Sequence, residues 1–277
     1  MIDSVFEPLS HGTTLRALVE ITVLGIVSGA IGCWIVLYEL SYSAESLAHG
    51  LFPGLVIAAL IGAPLLLGGA VGVLVAALLV VLATRLTDES SDTAIAVVIT
   101  TLFGAGVLLA LSPSSPPGIQ ELLFGDLLGA STGDIAIASA VGAAVLGVLW
   151  LLHDRLLAVG FDSDSGRALG ISVGTLNVIL LALVSLTILV AVQGLGNLLV
   201  AAILVGPAAA ARLVTRRIRP MMMIAAVVAV VAGIAGIYAS YYLRTAAGAS
   251  VVIALMGCYL IAAATGVLQG RLAPRDR

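Results

Sequence analysis

The residues best placed to do chemistry stand in one short stretch, Ser41 to Gly54. Glu45 and His49 are four positions apart, so in a helix their side chains leave one face a turn from each other, and Ser41 lies one turn earlier. Pro53 follows His49 by four residues and has no N–H, which leaves the His49 carbonyl without its usual helical partner. We therefore expect a carboxylate, an imidazole and a free carbonyl to converge.

This set of groups fits a divalent metal ion. One nitrogen donor with one or two oxygens suits Zn²⁺ or Mn²⁺, whereas Mg²⁺ and Ca²⁺ prefer oxygen alone. The alternative is a structural hydrogen bond between His49 and Glu45 on a buried helix surface. Apolar runs flank the stretch on both sides, and ionisable groups at membrane depth are so costly that they usually mark a functional site. We predict a functional role for the pair, and so sparse a set of ligands would allow a bound ion to leave again.

The composition indicates a helical membrane protein. Hydrophobic residues make up 61% of the chain and charged residues 10%, and the mean hydropathy is +1.22. Breaks at charged and Gly/Pro-rich points give about nine apolar segments of the length that crosses a bilayer, about 20 residues. The sequence thus predicts an all-α, multi-pass protein with a single transmembrane domain over residues 1–277 and a membrane core over 15–268. The predicted spans are 17–38, 43–62, 64–84, 93–111, 134–152, 175–193, 197–214, 221–243 and 249–268.

The basic residues predict the orientation and exclude some activities. All twelve basic residues are arginine. If the chain crosses the membrane nine times, all of them except Arg16 and Arg244 fall on the same side. The positive-inside rule makes that side cytoplasmic and places the N-terminus outside. The absence of lysine excludes a Walker-A phosphate loop, and the sequence contains neither His-Glu-x-x-His nor a nucleophile with a plausible base. We predict a protein that is not itself catalytic and does not bind nucleic acid.

Two further segments point to function. Gly206 and Pro207 stand in the middle of the seventh predicted span, so together with Pro53 and Gly54 they give two proline-interrupted spans. Paired interruptions point to a substrate path at the membrane midplane, although kinked helices without that role are also common. On the cytoplasmic side, the connection 153–174 carries signals for one or two helical turns that dock on a partner. The residues concerned are Asp162, Ser163, Asp164, Arg167 and Gly170.

Four other polar residues are predicted to have no role in binding. We expect Glu20 and Asn177 to be interfacial or helix-packing groups. His11 and His153 lie outside the apolar spans, and we expect them to face solvent or lipid headgroups.

The stretch 45–54 resembles the Asp-x-x-x-His-x-x-x-Pro-Gly signature of the permease subunits of zinc, manganese and iron ABC importers, the ABC-3 family. Segments 124–126, 162–170, 198–210 and 236–241 resemble the family's remaining landmarks in the same order. The resemblance implies a type II importer fold like that of the cobalamin permease, with Glu45 and His49 as pore metal ligands and 162–170 as the coupling helix. The chain departs from the family in having Glu45 for Asp, and 38–40 where arginines are usual.

The resemblance also implies the assembly. It implies a homodimer in the plasma membrane with two cytoplasmic ATPase subunits, which supply ATP hydrolysis, and an extracytoplasmic metal-binding protein. The metal would be the transported Zn²⁺ or Mn²⁺, and no cofactor would be permanently bound. Two alternatives stay open. The first is a permease for a metal chelate of the siderophore or cobalamin kind, which would not be expected to carry the Glu45/His49 pair. The second is a secondary carrier or channel, for which the chain has few charged residues within the membrane.

Overall fold

The computed structural model describes residues 12–86 and 91–272, apart from 114, 117, 120 and 198, and the regular elements in these ranges are all helical. A single 3₁₀ turn, Leu127–Gly129, lies between the fifth and sixth α-helices. The α-helices in chain order are α1 Gly12–Leu37, α2 Ser41–Ile61, α3 Leu65–Leu86, α4 Ser91–Ala110, α5 Glu121–Phe124, α6 Thr132–Leu151, α7 His153–Phe161, α8 Ser163–Ala168, α9 Val173–Leu195, α10 Val200–Val214, α11 Ile218–Leu243 and α12 Ala247–Leu272.

Nine apolar helices correspond to the nine predicted spans. Among the described residues, seven helices, α1, α2, α3, α6, α9, α11 and α12, contain a segment long and apolar enough to cross a membrane. The apolar parts of α4 and α10 are shorter. The 15 residues of α10 extend about 22 Å at 1.5 Å per residue, less than the roughly 30 Å hydrocarbon core. The all-helical, multi-pass fold is confirmed, and within the described ranges seven of the nine apolar helices meet that length.

Helix α1 is the packing centre of the molecule. It lies against α11 over most of its length and also contacts α10, α6 and α9. Two glycines make this possible: a Cβ added to Gly29 would lie 2.6 Å from the Ala226 backbone nitrogen, and one added to Gly32 would overlap the Leu204 carbonyl oxygen. Small residues at helix crossings allow such close approach, which is the main source of packing energy between helices in lipid.

Helix α2, which carries the candidate ligands, is held by α3 and α4. Gly54 faces Gly68 and Gly72 of α3 so closely that a Cβ at Gly54 would overlap the Gly68 carbonyl oxygen. A Cβ added to Gly106 of α4 would lie 3.1 Å from the backbone of Pro53. The position of this helix is therefore fixed on two sides by backbone contacts.

The predicted interruptions at the two prolines are wrong. Helix α2 continues through Pro53, and α10 continues through Pro207. A proline removes one helical hydrogen bond, and in a membrane protein tight packing against neighbouring helices commonly preserves the remaining ladder. The missing N–H at Pro53 still leaves the His49 carbonyl without a donor from the helix.

The connection between α6 and α9 is more helical than the sequence indicated. Helix α7, which begins directly after α6, was not predicted. The short helix α8 was predicted. The carboxylate of Asp162 accepts a hydrogen bond of 3.0 Å from the Asp164 amide at the start of α8. Gly170 ends the segment in the left-handed region, with φ of 76°, where glycine has no steric penalty.

Candidate metal site

Glu45 and His49 lie on one face of α2, one turn apart. The distance from Glu45 Oε1 to His49 Nε2 is 4.0 Å, which is too long for a hydrogen bond. The Glu45 side chain is 57% exposed and that of His49 is 25% exposed. When two ligands each bind one ion at about 2.1 Å, they are roughly 3 to 3.5 Å apart, so a small rotamer change would allow both to bind a metal. The structure does not contain the direct hydrogen bond of the packing alternative.

The His49 ring is positioned by groups from two other parts of the chain. Its centroid is 4.6 Å from that of Phe103 on α4, and Phe103 in turn lies 5.4 Å from Phe52. On the other ring nitrogen, Nδ1 is 3.2 Å from the side-chain nitrogen of Asn197, in the turn between α9 and α10. Asn197 is completely buried. The imidazole is therefore held at its Nδ1 edge, and its Nε2 edge faces Glu45.

The amide of Asn197 decides which nitrogen of His49 is free. With Nδ2 against the ring, Nδ1 accepts a hydrogen bond, the ring proton is on Nε2, and the Asn197 Oδ1 is buried without a hydrogen-bond partner. Rotating the amide by 180° places Oδ1 against an Nδ1–H and leaves the Nε2 lone pair facing Glu45. Metal-binding histidines usually have this second arrangement, in which the distal N–H is donated to an oxygen.

The other predicted pathway residues differ in their position relative to Glu45 and His49. Ser41 is the first residue of α2 and half-buried, and within the described ranges it forms no hydrogen bond with either ligand. Pro53 is buried one turn beyond His49, and Gly54 contacts α3. Pro207 is buried in α10, whereas no heavy atom would lie within 4 Å of a Cβ added to Gly206.

The predicted docking residues form an exposed, self-contained turn. Arg167 Nη1 lies 2.8 Å from Asp164 Oδ1, with side-chain exposures of 65% and 84%. An ion pair so exposed contributes little to folding, about 1 kcal/mol at most. Two apolar side chains border the turn, Phe161 at 68% and Leu169 at 72% exposure.

Two polar residues important to this region were not predicted. Asn197 was seen only as part of a glycine-rich connection, yet it is the hydrogen-bond partner of His49. Glu20 was predicted to be interfacial or packing, but its side chain is only 2% exposed, and its Oε2 has no hydrogen-bond partner. The available signal was a carboxylate well inside an apolar span. Asn177 is half-buried with an unpartnered Oδ1.

His153 is not part of the site. His153 is half-buried at the start of α7, with its ring centroid 5.4 Å from that of Trp34 and its Nε2 3.4 Å from Arg219 Nε. The prediction for His11 concerns a position outside the described residues.

Comparison with known proteins covers nearly the whole chain. The model of the ABC 3 transport family matches residues 10–266. The manganese transport system membrane protein MntC of Halalkalibacterium halodurans is 32% identical over 266 residues, which are 95% of this chain and 91% of that protein. The chelated iron transport system membrane protein YfeC of Yersinia pestis is 28% identical, over 100% of this chain and 94% of that one.

A solved structure has the same fold. PsaBC from Streptococcus pneumoniae, determined in complex with Fab, matches with a TM-score of 0.88 and 29% identity, covering 95% of each chain. The chain is thus a multi-pass protein of the plasma membrane, as its apolar helices indicate. From the match over residues 10–266 and the shared fold, we conclude that it belongs to the ABC 3 transport family.

Proposed function

We propose that the chain is the membrane permease subunit of an ATP-binding-cassette importer for a divalent transition metal ion, with Mn²⁺ as first candidate and Zn²⁺ as second. The geometry of Glu45 and His49 supports this most directly. They lie 4.0 Å apart without a hydrogen bond between them, within reach of one shared ion. The name of the manganese-transporting relative favours Mn²⁺.

Asn197 has a positioning role in this proposal. By accepting a hydrogen bond from Nδ1–H of His49, it would keep Nε2 unprotonated and directed toward Glu45. The carbonyl of His49, left free by Pro53, is a third oxygen in the same turn of helix. A nitrogen with a few oxygens binds Mn²⁺ or Zn²⁺ without enclosing it, so release to the cytoplasm remains possible.

The remaining parts of the assembly are proposed on the same basis. Two copies of the chain would line the pathway, with two ATPase subunits in the cytoplasm and an extracytoplasmic binding protein delivering the metal. The exposed turn 162–170 would contact the ATPase, because a short charged helix with flanking exposed Phe161 and Leu169 offers both polar and apolar contacts. In this proposal the metal is cargo, and the ATPase carries out the chemistry.

A chelate of iron is the second candidate substrate, because the similar YfeC protein is named for chelated iron. An exposed Glu45/His49 pair has little use for a metal that arrives with its coordination sites filled by a chelator. Competition decides between the two: free Mn²⁺ should compete with labelled metal for uptake, whereas an iron chelate added at the same concentration should not.

The proposal predicts the effect of removing either ligand. Glu45→Gln preserves size but loses the anionic oxygen, and His49→Ala loses the nitrogen, so each should reduce radioactive Mn²⁺ uptake to background in cells expressing the complete transporter. Glu45→Asp retains a carboxylate and should keep substantial uptake. Wild-type uptake should weaken as the pH falls, because protons compete with the metal for the imidazole.

The matched control is Glu39→Gln, which makes the same chemical change at an exposed position in the turn before α2. It should transport normally, and all variants should be present in the membrane at wild-type levels. Near-normal uptake by both Glu45→Gln and His49→Ala would mean that the pair only packs and that the ion takes another route.

A further inference from the structure

A second acidic region lies apart from the Glu45/His49 pair, in a cavity of about 580 Å³. Three carboxylates line it: Glu20 of α1, Asp126 before the 3₁₀ turn, and Asp134 in the first turn of α6. The other lining residues come mainly from the connections α2–α3 and α4–α6 and from the last turn of α9, which the arginine distribution places on the extracytoplasmic side. The cavity therefore opens on the side from which an imported ion arrives.

The three carboxylates differ in how their oxygens are satisfied. Asp126 accepts a hydrogen bond of 2.9 Å from the Gly129 amide, and Asp134 accepts hydrogen bonds from the amide and hydroxyl of Ser131. These two side chains are held in place by their own turns. Glu20, by contrast, is 2% exposed and its Oε2 has no partner.

Within the described ranges, Glu20 forms no ion pair with a basic side chain, although Arg16 lies one turn before it on α1. The acidic and basic side chains found within 4.0 Å of each other there are Glu45 with His49, and Asp164 with Arg167. The nearby charges that act on Glu20 are those of Asp134 and Asp126, which repel it. Burying a carboxylate among like charges is strongly unfavourable unless it takes up a proton or a cation offsets its charge.

The backbone is shaped to accept this carboxylate. A Cβ added to Gly194, in the last turn of α9, would lie 2.7 Å from Glu20 Oε1. The absence of a side chain at Gly194 leaves room for the carboxylate against the helix end that leads into the Asn197 turn.

The wall of the cavity is linked to His49 by hydrogen bonds through Asn197. Leu122 lines the cavity, and its carbonyl oxygen accepts a hydrogen bond of 2.9 Å from the backbone N–H of Asn197. The side chain of Asn197 contacts His49. One turn of chain thus separates the acidic cavity from the candidate metal pair.

We propose that the cavity of Glu20, Asp126 and Asp134 is an outer capture site, which binds the hydrated divalent cation before it reaches Glu45 and His49. This inference rests on the proposed function and adds a second binding step to it. Carboxylate and water oxygens suit Mn²⁺, and also Mg²⁺ and Ca²⁺. Six waters occupy roughly 180 Å³, so a hydrated ion has room in the cavity.

The cation is held in this site through its water shell. Within the ranges that the structure describes, no three Asp, Glu, His or Cys side chains are grouped closely enough to ligate one metal ion. The attraction therefore comes from the field of three carboxylates in a partly enclosed space, which concentrates cations and speeds their entry. Selection among metals remains with the nitrogen-containing pair.

Glu20→Gln tests the capture site with minimal change of shape. In cells expressing the complete transporter, it should raise the KM for Mn²⁺ uptake by roughly 10-fold while the maximal rate stays at the wild-type level. Millimolar Mg²⁺ outside the cell should raise the KM of the wild type, because oxygen ligands accept it, and should have little effect on Glu20→Gln. The control Glu39→Gln should leave the KM unchanged.

A second variant and a binding measurement make the test independent of folding. Asp134→Asn, which retains a hydrogen-bond acceptor for Ser131, should raise the KM in the same direction. In the purified complex carrying His49→Ala, electron paramagnetic resonance should still detect bound Mn²⁺ with a spectrum like that of the hydrated ion, and adding Glu20→Gln should abolish it. An unchanged KM in both variants at normal protein levels would overturn the capture site, even if Glu45→Gln abolishes uptake as the proposed function requires.

Discussion

At the scale of single residues, the hydrogen bond between Asn197 and His49 determines what the imidazole can do. A neutral histidine has one nitrogen that donates and one that accepts, so fixing the proton on Nδ1 frees Nε2 for a metal. Asn197 is buried and comes from a different helix connection, so its amide is more rigid than an exposed partner would be. In the proposed site, Asn197 would therefore position His49 without binding the metal itself.

This arrangement predicts opposite results for two substitutions at position 197. Asn197→Leu removes the acceptor but keeps the volume, so it should weaken metal binding by roughly 10- to 100-fold, measured as the KM for Mn²⁺ uptake. Asn197→Asp provides a stronger acceptor for Nδ1–H and should restore most of the affinity. Equal loss in both variants, with normal protein levels, would show that Asn197 only fills space.

At the scale of helices, the turn α8 is stable by its own local interactions. Asp162 begins it, Asp164 and Arg167 pair within it, and Gly170 ends it. The Asp164 and Arg167 side chains are largely exposed, which leaves them accessible to a partner. Because the exposed ion pair adds little folding energy, its removal should affect assembly rather than insertion.

The corresponding experiment replaces Asp162 and Arg167 with alanine together. The double variant should insert normally but lose most of its ATPase association, measured by co-purification with the ATPase subunit. A matched control removes the same charges on neighbouring α7, as Asp154→Ala with Arg155→Ala, both exposed. Wild-type association of the 162/167 variant would exclude this turn as the docking element.

Most of the helices could be predicted from the sequence. The lengths of the apolar segments predicted the nine apolar helices to within a few residues, and Asp162 and Gly170 predicted α8. Helix α7 was missed because it is short and begins with the charged His153-Asp154-Arg155. The continuous helices at Pro53 and Pro207 were missed because packing against neighbouring helices is invisible in a single chain segment.

Only part of the candidate metal site could be predicted from the sequence. Glu45 and His49 share one turn of helix, so their spacing alone indicated their proximity. The contact of His49 with Asn197 joins residues 148 positions apart, and the burial of Glu20 depends on Gly194 of another helix. Such long-range juxtapositions follow from the packing of helices, for which the pattern of one segment contains no information.

At the scale of the whole molecule, the arginine distribution predicts which end faces the cytoplasm. The cavity with Glu20 would lie at the outer end, and the turn with Arg167 at the inner end. Single cysteines test this orientation, since Cys33 and Cys258 can first be replaced by alanine. A cysteine at exposed Ala246 should react with an impermeant thiol reagent added outside intact cells, whereas one at exposed Leu169 should react only after permeabilisation. The reverse pattern would invert the orientation.

Helix α9 connects the two ends of the molecule without a break. Its 23 residues extend about 35 Å, from the N-cap Ser172, two residues after Gly170, to Leu195, two residues before Asn197. A rod of that length acts as a lever: a tilt of about 10° about one end moves the other by roughly 6 Å. A movement of the cytoplasmic turn 162–170 would thus be transmitted through helix α9 to the hydrogen bond between Asn197 and His49. Breaking that bond would release the ion at the same time as the movement.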